Sequence, residues 1–208
     1  MKKIIFLFAA AVFLPFIIYA QRVEITPFGG YVFAGTMQTG NGSVRFMDNA
    51  QYGGIISIAI SRAMDIDLLY NRSDTKADLS FNTPFNNLTY QVVPLSINYM
   101  HIGFTKNFRI SPKVSPFVGF NVGACLFSPK EYYSDAWFFS MGINAGAKIY
   151  LSKRVGLRLQ AQGLMPIQGA GATFFVGSGG SGGGMSLYTT LFQFGFTGGL
   201  IFRLGHIQ

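Results

Sequence analysis

The stretch Leu191-Phe192-Gln193-Phe194-Gly195-Phe196-Thr197-Gly198-Gly199-Leu200-Ile201-Phe202-Arg203-Leu204 decides how the rest of this chain is read. Its even positions carry Phe192, Phe194, Phe196, Gly198, Leu200, Phe202 and Leu204, while its odd positions include Gln193, Gly195, Thr197, Gly199 and Arg203. Side chains alternate between the two faces of a strand, so one face is greasy and aromatic and the other small, polar and charged. A strand of a soluble sheet usually runs about 5–6 residues. This segment is more than twice as long, and a bilayer-crossing strand needs roughly 9–11 residues within the hydrocarbon. The pattern predicts a transmembrane β-strand with Phe192, Phe194, Phe196, Leu200 and Phe202 toward lipid and Gln193, Thr197 and Arg203 toward an interior.

The opposite end of the chain points to the same compartment. Lys2 and Lys3 precede an apolar run from Ile4 to Ile18, broken only by Pro15, and Tyr19-Ala20-Gln21 offers a small residue at a cleavage point. That is the layout of a secretory signal peptide, which predicts removal of residues 1–20 and leaves 21–208 as one domain. No cysteine stands near the cut, so a lipoprotein anchor is not expected. Although 50% of the residues are hydrophobic, no apolar run long enough for a spanning helix, about 18 residues, follows the signal. Gly 26, Phe 22 and Tyr 10 instead suit strands with aromatic girdles and close-packed interiors. The lone cysteine, Cys125, forms no disulfide framework and reads as a buried small residue. The net charge of +8 becomes +6 once Lys2 and Lys3 leave, but the basic residues are scattered singly, which argues against a nucleic-acid partner.

Eight alternating segments follow, near residues 22–33, 52–62, 64–75, 88–102, 113–128, 138–151, 155–168 and 190–204. The connections at 34–51, 76–87, 129–137 and 169–189 are long and polar or glycine-rich, whereas those at Ala63 and Ser152-Lys153-Arg154 are tight and 103–112 forms one longer turn. Strict alternation of long and short connections means antiparallel strands with every long loop on one side. In lipid an unpaired sheet edge would cost several kcal/mol for each exposed backbone group, so the sheet is expected to close on itself. The predicted fold is an all-β, eight-stranded antiparallel up-and-down barrel, whose interior at this strand number is only wide enough to be filled by side chains.

Parity says what fills it. The predicted sixth strand sets Met141, Ile143, Ala145, Ala147 and Ile149 against Ser140, Gly142, Asn144, Gly146 and Lys148, and the seventh sets Leu157 and Leu159 against Arg158, Gln160 and Gln162. The inward charges are then Glu24, Asp65, Asp67, Lys148, Arg158 and Arg203, all at the short-turn end. Both signs occur, so an internal ion-pair plug is the leading expectation and an ion or proton pathway the alternative. Glu24 and Arg203 are expected within ion-pair reach, with Arg158 as a candidate third member.

Together the signal, the eight segments and the loop asymmetry resemble the small outer-membrane β-barrels of the outer-membrane protein A and X type. Ile25-Thr26-Pro27-Phe28-Gly29-Gly30-Tyr31 and Tyr99-Met100-His101-Ile102-Gly103 look like recurrent strand ends of the outer membrane β-barrel domain branch. The barrel-assembly signal of such proteins is a polar residue, any, Gly, any two, hydrophobic, any, hydrophobic. Thr197, Gly199, Phe202 and Leu204 match it, although the chain continues through Gly205, His206, Ile207 and Gln208 instead of ending on an aromatic residue. The resemblance implies residence in the bacterial outer membrane, contact with its lipids and with the barrel-assembly machinery, and a monomeric state.

Chemistry is sparse. Gly177-Ser178-Gly179-Gly180-Ser181-Gly182 satisfies a dinucleotide-binding pattern literally, yet it lies in a long loop without the flanking strand, helix and acidic residue. No cofactor and no metal site is expected. The two histidines, His101 and His206, both fall at the short-turn side in this reading, away from the loop carboxylates Asp48, Asp74, Asp78, Glu131 and Asp135. Catalysis is therefore not expected. Tyr132, Tyr133, Trp137, Phe138 and Phe139 cluster where the third long loop meets the sixth strand, as an aromatic rim at the membrane interface or a patch for a ligand. The leading functional expectation is a non-enzymatic envelope barrel with a filled lumen and an unnamed loop or periplasmic partner. Its alternatives are a narrow pore or channel for small hydrophobic molecules, and an accessory barrel of a secretion system.

Overall fold

A computed structural model describes residues 22–39, 42–81, 89–108, 110–130, 135–167, 169–177, 180–188 and 191–204. Residues 1–20, expected as a signal peptide, lie outside the described residues, as do Tyr132, Tyr133 and His206.

Eight long strands form a closed antiparallel barrel. In chain order the strands are β1 (Val23–Val32), β2 (Gly35–Thr39), β3 (Gly42–Phe46), β4 (Asn49–Ala59), β5 (Met64–Phe81), β6 (Thr89–Asn107), β7 (Val114–Pro129), β8 (Ala136–Tyr150), β9 (Val155–Ile167), β10 (Gly169–Gly177), β11 (Gly180–Tyr188) and β12 (Gln193–Leu204). The barrel runs β1-β4-β5-β6-β7-β8-β9-β12, and β12 returns to β1 with Glu24 opposite Arg203 and Ile25 opposite Phe202. Every barrel strand therefore has two hydrogen-bonded neighbours, the arrangement a lipid environment demands.

The predicted alternation holds on the final strand. Phe192, Phe196 and Leu200 are 50%, 51% and 46% exposed on the outer surface, against 4% for Gln193 and 6% for Thr197. The outer apolar surface continues around the wall through Ile25, Ile56, Leu68, Ile102, Phe120 and Ile143. At the long-loop end it meets tyrosines whose hydroxyls find polar partners: Tyr31 donates to Asp48, Tyr52 to Asp74 at 2.9 Å and Tyr70 to Asn98 at 3.0 Å. Rings with an apolar body and a hydrogen-bonded tip suit a membrane–water boundary.

Three segments read as loops contain strands. β2 and β3 continue the β1–β4 hairpin beyond short breaks at 33–34 and 47–48, with β3 pairing to the far end of β5. β10 and β11 likewise form a hairpin within the last long connection. β5 and β6 pair all the way from Met64–Lys106 to Phe81–Thr89. The ladder between two neighbouring strands continues for as long as alternation and backbone pairing allow, so polarity alone did not mark the strand ends. β6 also runs on to Asn107 at its other end, so the turn expected over 103–112 is confined to 108–113.

That turn is one of three built alike. Ser61 Oγ accepts from the amides of Ala63 and Met64, Ser111 Oγ from Lys113 and Val114, and Ser152 Oγ from Arg154 and Val155. Ile60-Ser61-Arg62-Ala63-Met64, Ile110-Ser111-Pro112-Lys113-Val114 and Leu151-Ser152-Lys153-Arg154-Val155 are thus one device used three times.

Candidate functional site

Buried chemistry-bearing side chains of the described residues converge in the lumen, and they are stacked in layers. At the short-turn end lies an ion cluster. Lys148 Nζ donates to Glu24 Oε2 at 2.9 Å and to Asp65 Oδ2 at 2.8 Å, and all three side chains are buried. Arg203 Nη2 reaches Glu24 Oε1 at 3.1 Å while its guanidinium stacks on Tyr150 at 4.2 Å. Arg22 lies 3.3 Å from Glu24 and 3.2 Å from Asp65. Above them Arg158 pairs with Asp67 at 3.1 Å and stacks on Phe117 at 4.4 Å.

The Glu24–Arg203 contact falls where β1 and β12 meet. Arg158 is not shared with it, because it stands opposite Gly199 of β12 and turns to Asp67 instead. The further partners of Glu24 are Lys148 and Arg22. Arg22 has the same parity as Glu24, so the alternation of β1 already pointed it inward. Asn107, which donates to Asp65 at 2.8 Å, and Thr105, which donates to Asp67 at 2.7 Å, were hidden because β6 was expected to end at residue 102.

From Arg158 a chain of amides climbs the lumen. Arg158 donates to Gln160 Oε1 at 2.9 Å, Gln160 to Gln162 at 3.0 Å, and both Gln162 and Asn71 converge on Gln51 Oε1 at 3.0 and 2.9 Å. Across the lumen, His101 Nδ1 is 2.5 Å from Asn121 Oδ1 and His101 Nε2 is hydrogen-bonded to Ser140 Oγ. The sequence reading put His101 at a strand end on the short-turn side. It lies six residues before β6 ends, well inside the barrel, because β6 continues to Asn107. Inward glycines make room for this group: a Cβ at Gly123 would press on the His101 ring at 2.8 Å, and one at Gly142 would collide with the Asn121 amide oxygen.

A hydroxyl, an imidazole and an amide in sequence have the connectivity of a nucleophile, its base and an orienting group. Here all three are buried side chains of the barrel wall, with Ser140 completely covered. Above them Tyr99 donates to Gln193 at 2.5 Å, and an apolar layer of Phe46, Leu95, Ile97, Cys125, Phe127 and Leu164 closes the long-loop end.

The aromatic cluster divides by parity. Trp137 and Phe139 point outward, but Phe138 turns inward and packs on Phe127 at 5.1 Å, so it belongs to the apolar layer rather than to a rim. Phe202 and Leu204 of the assembly motif face outward, Thr197 faces inward, and Gly199 sits against Phe28 and Thr26, where a Cβ would meet both at 2.9 Å. Among the described residues no group of three His, Cys, Asp or Glu side chains is placed to hold a metal.

No known protein family matches the sequence, and no curated protein matches it. Solved structures do. Neisserial surface protein A superposes with a TM-score of 0.55 at 9% identity, covering 88% of this chain and 97% of that one. Outer membrane protein AlkL in lipid bilayers gives 0.50 at 13% identity, covering 91% and 93%. The outer membrane protease OmpT from Escherichia coli gives 0.47 at 9% identity, covering 89% and 98%. The fold is that of the small eight-stranded outer-membrane barrels.

Proposed function

We propose that the chain is a monomeric integral barrel of the bacterial outer membrane, inserted by the barrel-assembly machinery, that works through its surface and its loops and neither conducts nor catalyses. In this reading the short turns face the periplasm and the long connections face outward. The observation that carries it is the layered lumen: Lys148 clamped between Glu24 and Asp65, the amide chain above, and the apolar layer above that. A hydrated pore needs a continuous wet path, and eight strands leave only a side-chain-filled interior. The Ser140-His101-Asn121 group is read as structural, since a buried imidazole must satisfy both nitrogens and these partners do so. The aromatic residues at the long-loop end anchor the barrel, and Thr197, Gly199, Phe202 and Leu204 serve as the assembly signal.

Planar-bilayer recording on the purified protein tests the closed lumen. Steady conductance is expected to stay at the lipid baseline. Large, stable open channels would overturn the reading in favour of a pore.

A further inference from the structure

The three serine-capped turns share more than their hydrogen bonds. Each begins with an aliphatic residue directed away from the barrel, Ile60, Ile110 and Leu151, exposed by 52%, 77% and 64%. Each continues with exposed cations: Arg62 in the first, Lys113 in the second, Lys153 and Arg154 in the third. None of the three turns contains a carboxylate. The acidic groups at this end, Glu24 and Asp65, are turned into the lumen and already paired with Lys148, Arg22 and Arg203.

Each turn is also tied to the end of a neighbouring barrel strand. The carbonyl of Ala63 accepts from the Asn107 amide at 2.7 Å, that of Lys113 from Tyr150 at 2.7 Å, and that of Arg154 from Arg203 at 2.8 Å. The cations therefore stand on a braced rim. Ile60 and Leu151 extend the outward aliphatic rows of β4 and β8 by one more position, so the apolar surface reaches the turn itself. The basic residues follow two or three positions later, at the depth where hydrocarbon gives way to headgroups. Aliphatic side chains above and ammonium or guanidinium groups below form the amphipathic pattern of an interfacial anchor.

We infer that the short-turn rim is a docking surface for anionic phospholipid headgroups of the leaflet it faces, with Arg62, Lys113, Lys153 and Arg154 holding the phosphates and Ile60, Ile110 and Leu151 seated in the acyl region. This rests on the outer-membrane reading above. It makes the short-turn end flush with the bilayer, while β5 and β6 carry the opposite end beyond it.

The test uses the full chain refolded into phosphatidylcholine vesicles with a minor fraction of phosphatidylglycerol. Spin-labelled lipids report the association of phosphatidylglycerol with the barrel relative to phosphatidylcholine. An interfacial cation near an anionic lipid is expected to raise that ratio to about fivefold at low salt, with a fall toward unity as salt screens it. The combined Arg62→Gln, Lys113→Gln, Lys153→Gln and Arg154→Gln variant is expected to insert normally and lose the preference. Arg45→Gln, Lys76→Gln and Lys130→Gln, at the other end, are expected to leave it in place. A ratio of one in the wild type, or a preference abolished only by the second set, overturns the inference while leaving the barrel intact. A protein that does not insert at all overturns the membrane reading with it. Loss of the preference on adding inorganic phosphate, beyond the loss given by sodium chloride of equal ionic strength, would assign the rim to soluble anions and likewise overturn lipid docking.

Discussion

Lys148 is completely buried, with its ammonium between two carboxylates, Glu24 at 2.9 Å and Asp65 at 2.8 Å. Removing its charge leaves those carboxylates facing one another, and breaking a buried pair in this way costs about 3–5 kcal/mol. Lys148→Met is expected to lower the unfolding free energy of the refolded barrel by that amount, read from the urea transition as its midpoint multiplied by its slope. Arg203 is different, because its side chain is part exposed at the mouth and Glu24 keeps Lys148 and Arg22 when Arg203 is lost. Arg203→Met should therefore be milder. In a double-mutant cycle, Glu24→Gln and Arg203→Met should be non-additive by about 0.5–3 kcal/mol, as for residues in one network. Additivity would detach this pair from the closure of the barrel.

At the scale of the element, β12 carries the clearest sequence signal and the sharpest test. Phe196 faces outward near Phe33 and Phe194, at 6.0 and 5.1 Å between ring centroids. An arginine on the lipid face of a barrel near its midplane costs roughly 2–4 kcal/mol. Leu200, which faces outward midway along β12, gives the test: Leu200→Arg is expected to impair folding into vesicles by that amount, Phe196→Arg, opposite Tyr31 nearer the long-loop boundary, by less, and Leu200→Ile, which stays apolar, hardly at all. Equal effects would mean that β12 does not face lipid. The long-loop ends of the strands were less legible. β5 has 18 residues, about 60 Å of strand, more than a bilayer requires even at the usual tilt. Its excess length pairs with β3 and β6, and there the buried inward positions are Ser73, Thr75 and Ala77, small or polar residues that leave no periodic apolar mark.

For the molecule as a whole, closure rests on the seam between the first and last barrel strands. Ile25 and Phe202 are directly opposed there and both point outward. Opposed residues of antiparallel strands lie within the range a disulfide can bridge. With Cys125→Ala as background, Ile25→Cys with Phe202→Cys is expected to cross-link under mild oxidation in the folded state, seen as a gel shift reversed by reductant. Ile25→Cys with Leu68→Cys should not, because β4 stands between them: Ile25 pairs with Ile56, and Ile56 with Leu68. Cross-linking of both pairs alike would contradict the strand order.

The sequence by itself determined the class of architecture. Period-two alternation is a local property, so strand number, the facing of Gln193 and Phe196, and the inward turn of Glu24, Lys148 and Arg203 could all be read residue by residue. The partners inside the barrel were another matter. Lys148 meets Glu24 across 124 residues of chain, and Arg158 chooses Asp67 over Glu24, because tilt and register set which inward side chains share a level. His101 shows the same limit. Its parity was legible, but its depth depends on where β6 ends, and its contacts with Asn121 and Ser140 depend on glycines at 123 and 142 leaving space on neighbouring strands. Facing follows from the pleat of a single strand, whereas contact is a property of the closed sheet, and only the tertiary structure decided it.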